Sequence, residues 1–202
     1  MQVELLDLWL PIVISTVVVF IASSIIWMAL PYHKADMKAF KDEGPMTRAL
    51  EETKPEAGMY YLPGCGNDKE KMKSEAFKEH LKKGPWAFIV VPKAMPSFPK
   101  CLGTIFVEFF LVTVFVAYLA SHALPAGAAY LDVFRIVGTG CVLGYVFGSL
   151  GHNTFQLKPM RYLFFSAVDG VVFSLLTAGI FGWLWPAAEA AVSGGVPGIA
   201  AP

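Results

Sequence analysis

Apolar positions along this chain gather into four long runs, divided by one broad polar stretch and two short ones. A helix that crosses the hydrocarbon core needs about 20 mostly apolar residues, and four segments reach that length. Leu8 to Leu30 carries no charge at all, and Pro11 falls in its first turn, where the missing N–H does little harm. Leu102 to Leu124 is interrupted by Glu108 and ends near His122. A third run extends from about Tyr130 to Leu150, with Asp132 and Arg135 at its start, and a fourth from Tyr162 to Trp185 contains Asp169. The pattern predicts an all-α fold, an integral membrane four-helix bundle with a cytoplasmic loop that contains short or interfacial helices.

The predicted organisation follows from those runs. Residues 1–30 form an outside N-terminus and the first span, residues 31–101 the loop, and residues 102–186 spans two to four. Residues 187–202, small and rich in Gly and Pro, are expected to form a flexible outside tail. The leader "MQVELLD" is acidic and lacks the basic start of a signal peptide, so the first run reads as a retained span. Trp27, Trp86, Trp183 and Trp185 fall near predicted span ends, as interfacial aromatics do.

Composition supports the membrane reading. Of the 202 residues, 55% are hydrophobic and only 16% charged, against about 25% charged in soluble domains. Formal net charge is zero, which argues against nucleic acid as a partner. Charge distribution sets an expected orientation. Of the 16 Lys and Arg, 13 lie between Lys34 and Lys100, Lys158 and Arg161 fall between spans three and four, and only Arg135 lies on the other side. The positive-inside rule then makes the long loop cytoplasmic and puts both termini outside, in what reads as a bacterial inner membrane. Cys65, Cys101 and Cys141 are far apart and show no zinc-type spacing, so they read as free thiols.

Within the loop, "HKADMKAFKDE" and "MTRALEETK" are short helix candidates, and "KPEAGMYYLPGCGND" reads as turns. An amphipathic helix is predicted over about 67–83, with Met72, Ala76, Phe77, His80 and Leu81 on one side and lysines on the other. Such a helix fits an anionic leaflet, apolar face down, or a solvated helix packed on its own loop. "GPWAFIVVPKAMPSFPK" is too short to span and reads as an interfacial stretch or an edge strand. "PGCGNDKEK" lacks the phosphate-loop spacing and reads as a tight turn before a helix.

Small residues recur every fourth position in the last two spans. Gly140, Gly144 and Gly148, with Gly151 beside them, mark the third, and Ser166, Gly170, Ser174, Ala178 and Gly182 the fourth. In lipid, helices associate through close backbone approach, which small residues permit. The two ladders predict an antiparallel hairpin, or packing on a neighbouring copy or a larger complex.

Ionisable groups inside spans are candidate chemistry. Glu108 lies eight residues beyond Lys100 and Asp169 eight beyond Arg161, so both carboxyls fall about 12 Å along their helices from a basic anchor. His33 and His152, at the inner ends of spans one and three, approach the same level. His33, Glu108, His152 and Asp169 therefore form a candidate set for proton or ion handling, or for a divalent metal, the one cofactor such a set suggests. Thr104 and His122 extend a sparse polar stripe on the Glu108 face. Asp132 and Arg135 read as a snorkelling ion pair. The alternative is structural hydrogen bonding of each polar group to a neighbouring helix.

Three function classes fit: a structural or accessory subunit packed through its ladders, a small oligomeric channel or transporter, and a metal-dependent membrane enzyme. The first comes foremost from sequence, since no catalytic motif supports the third and no inverted repeat the second.

Overall fold

The computed structural model describes residues 2–188. The predicted residue 187–202 tail lies almost entirely outside the described residues. Four helical stretches, Leu5–Met28, Phe98–Ala123, Tyr130–Phe155 and Met160–Leu184, run 24, 26, 26 and 25 residues and are long and apolar enough to cross a membrane. At 1.5 Å per residue each extends well past a 30 Å hydrocarbon core. The chain is a multi-pass integral membrane protein built as an all-α bundle. The sequence places the spans correctly and misjudges their ends by a few residues.

The first span is a short 3₁₀ turn, Leu5–Leu8, leading into α1 (Trp9–Met28). In the loop lie α2 (Gly44–Thr53), β1 (Gly58–Leu62), α3 (Lys69–Lys73), α4 (Glu75–Lys83) and β2 (Ala87–Val91). The second span is α5 (Phe98–Ala123). The third is α6 (Tyr130–Val142), a π-helical turn (Leu143–Phe147) and α7 (Gly148–Phe155), and the fourth is α8 (Met160–Leu184). Contacts run α1 to α5, α5 to α6, α6 to α8 and α8 back to α1, a closed square in which chain neighbours are antiparallel.

The loop departs from the sequence reading in three places. The "HKADMKAFKDE" segment is a set of turns, not a helix, because His33 and Asp36 are drawn onto α8 as described below. The helix expected over 67–83 is divided at Ser74, which ends α3 in an extended conformation and whose hydroxyl then caps α4 by accepting from the Phe77 N–H at 3.2 Å. Gly84, at φ 71°, closes α4 in a conformation that L side chains resist. "GMYYL", read as part of a turn-rich segment, is instead β1, antiparallel to β2 from Gly58↔Val91 to Leu62↔Ala87. Its tyrosines and Met pack on a small ribbon where no long-range signal marks a strand.

Away from the loop the bundle is tightly filled. Leu8, Val133, Val137, Cys141, Ala178 and Phe181 have no exposed surface. Termini and turns are tied down there: Trp185 Nε1 donates to the Pro125 carbonyl at 3.0 Å, and the Gly127 N–H to that of Pro186 at 2.8 Å. Buried hydroxyls of Thr16, Thr113, Ser174 and Thr177 each donate to the carbonyl four residues back, so they cost little within the helices.

The ladders are used, but not as one mated pair. A Cβ built on Gly140 would lie 3.2 Å from Val116, and one on Gly144 2.9 Å from Val112, both on α5. Gly148 and Gly151 meet nothing closer than 3.9 Å. The α8 ladder does face the third span: Gly170 sits against Tyr145 and Val146, Ala178 against Gly138, and Gly182 against the Tyr130 ring. The hairpin of α6 and α8 thus forms through one ladder, while the glycines of the other admit α5.

Candidate functional site

At the loop end the bundle parts around a cavity of about 600 Å³ to which every span contributes. α1 supplies Ser23, Ser24 and Trp27, and α5 supplies Leu102 and Glu108. The third span adds Tyr145 from its π turn and Ser149 from α7, and α8 adds Tyr162, Ser166 and Asp169. The wall is mostly apolar, with a few convergent polar groups, the usual composition of a small-molecule site.

Asp169 is held from above by the segment that follows α1. Its Oδ1 accepts from the Tyr32 hydroxyl at 2.6 Å, and its Oδ2 lies 2.7 Å from His33 Nε2. The other ring nitrogen, His33 Nδ1, lies 3.1 Å from Asp36 Oδ2. Arg161 closes the circuit: Nη1 donates to Asp36 Oδ1 and Nη2 to the Tyr32 carbonyl at 2.8 Å. His33 and Asp169 side chains are only 1% and 5% exposed, whereas Arg161 at 43% reaches solvent. Both imidazole nitrogens therefore face carboxylate oxygens. Trp27 stacks flat on that ring, with centroids 3.9 Å apart and planes 3° from parallel, which fixes the plane of the imidazole.

Burial, first, then the hydrogen bond to Asp169 and its negative charge push the Tyr32 phenol up from 10.0 to about 12. Tyr32 is thus a committed donor at any ordinary pH. Because the folded value is raised, its contribution to stability is complete below pH 10 and fades as pH climbs towards 12. Chemical unfolding of purified protein should show that loss, and Tyr32→Phe should flatten it.

The expected set is divided by the structure. His33 and Asp169 meet, and Glu108 lines the same cavity, though exposed and without a cationic side chain within salt-bridge distance among the described residues. His152 does not join them. It is exposed on α7, its Nε2 2.7 Å from Gln156 Nε2. His122 sits at the far end of α5, bonded to Ser121 and the Tyr118 carbonyl. Thr104 donates to the Lys100 carbonyl, and Arg135 Nη1 lies 3.7 Å from Asp132 Oδ1. No group of three or more His, Cys, Asp and Glu is arranged to hold a metal among the described residues, so the four-residue metal set does not assemble.

Tyr32, Asp36, Arg161, Tyr145, Ser23, Ser24 and Ser149 are site residues that sequence reasoning missed, and Ser166, read as a ladder residue, lines the cavity as well. A signal existed for Asp36, three residues after His33 in "YHKAD", and for Arg161, noticed only as a positive anchor. Comparison with family models, curated proteins and solved structures returns no match, so the function rests on the site itself.

Proposed function

We propose that this protein binds a small amphipathic molecule in its loop-end cavity and belongs to the channel or transporter class. The observation that carries this reading is a cavity walled by all four spans whose buried carboxylate, Asp169, is wired through His33 and Asp36 to solvent-reaching Arg161. A histidine between two carboxylates can accept a proton on one side and release one on the other. That gives the cavity a route for protons to the loop. The loop itself is taken as cytoplasmic, on the bias of Lys and Arg, with the lysines of α4 facing anionic headgroups.

The environment-sensitive dye 1-aminoanthracene, neutral near pH 7, tests the reading. Saturable fluorescence enhancement is expected with purified protein in uncharged detergent. Ser149→Trp, which fills the cavity from α7, should abolish it while leaving the melting temperature within a few degrees. An undiminished signal in that variant would place the dye elsewhere and remove the argument.

A subunit role keeps one supporting observation, an apolar groove of about 490 Å³ between α1, α6 and α8. The mass of the detergent complex by light scattering separates a monomer from an assembly.

A further inference from the structure

We infer that the molecule taken by the cavity is an organic monocation and that Glu108 is its counter-charge, an assignment that rests on the cavity being a binding site. The lining carries two carboxylates, Asp169 and Glu108, and no Lys, Arg or His. Asp169 is already answered by Tyr32 and His33, and Asp36 by His33 and Arg161. Glu108 is left as the unmatched charge, ten residues into α5 and facing the cavity.

A carboxylate at that depth is costly unless a positive partner arrives. An anion would meet two carboxylates and no base. A small inorganic cation needs several oxygen ligands in a compact shell, and the mostly apolar wall with no metal-type cluster among the described residues does not offer one. Aromatic rings do line the space, among them Phe20, Phe109, Tyr145, Tyr162 and Phe173. Ring faces attract organic cations while accommodating their apolar bodies. Carboxylate plus aromatics, with bases excluded, is the chemistry that recognises a lipophilic ammonium or phosphonium.

Tetraphenylphosphonium and tetraphenylborate share a shape and differ in sign of charge, so they isolate the electrostatic part. Equilibrium dialysis of the full chain in uncharged detergent, against protein-free micelles, should show saturable cation binding at least about ten-fold tighter than anion binding, a 1.4 kcal/mol preference. Glu108→Gln should weaken the cation about ten-fold, whereas Glu108→Asp should keep most of the affinity. Should Glu108→Gln fail to fold, the paired ions and Glu108→Asp still decide. Equal binding of the two ions, or cation affinity untouched by Glu108→Gln, overturns the cation assignment while the dye result keeps the cavity reading. Absence of saturable binding by the dye and both ions sinks the two together. Competition by added sphingosine, a lipid whose one charge is its ammonium, identifies a lipid amine as the occupant; its absence indicates a free cation, and either result retains the shared chemistry.

Discussion

Replacing His33 with alanine will destabilise the folded bundle by about 3 kcal/mol, the low end of the cost of breaking a buried pair, because Tyr32 still donates to the stranded carboxylate. The His33 ring bridges Asp36 and Asp169, and with it removed the Asp169 carboxyl loses one of its two partners at a site where its side chain is 5% exposed. The double variant His33→Ala with Asp169→Asn should recover a substantial part of that loss, since no uncompensated carboxylate remains. Unfolding of the wild type, His33→Ala, Asp169→Asn and the double variant in mixed micelles of increasing SDS fraction gives the comparison. A double variant worse than the sum of its parts would show that His33 acts through packing on Trp27 and not through charge.

The second large effect is expected at Gly170. A Cβ there would approach Val146 Cγ2 at 2.8 Å and the Tyr145 carbonyl oxygen at 3.0 Å. One of these is backbone, inside the π turn, and cannot step aside as a side chain can. Gly170→Ala should therefore cost about 2 kcal/mol, within the range for overpacked cores. Gly103→Ala, on α5 with nothing within 4 Å of its Cβ, supplies the control. It should be neutral or slightly stabilising, as alanine is the better helix former. If both variants melt alike, close approach at Gly170 is not what limits the packing of α8 on the third span.

The architecture was largely legible because long apolar runs are properties of single segments. The site was legible only in depth. Counting from Lys100 and Arg161 puts Glu108 and Asp169 at one level, and they do line one cavity. Which histidine joins them depends on how the chain turns after a span ends. His33 reaches Asp169 because the segment from Pro31 to Asp36 folds back over α8, and no periodicity reports a fold-back. His152 lies on a regular helix, where arithmetic seemed safest, and faces away. The glycine ladders gave a similar mixture: the α8 stripe meets its chain neighbour, while Gly140 and Gly144 serve a different helix.

The π turn at Leu143–Phe147 explains part of that miss and reaches further. Carrying i→i+5 bonds, it takes in about one more residue than an α turn, so the faces before and after it are out of phase by about 100°. A search at one period runs straight through Gly140 to His152 and reports a single stripe where there are two. The third span is thus two short helices in series, answering to different partners. Its part away from the loop packs on the valines of α5 through Gly140 and Gly144, and its loop-side part borders the cavity with Ser149. Substitutions on the cavity face of α7 can therefore reshape that space without disturbing the contact of Gly140 with Val116, so the cavity and the packing of α6 can vary separately.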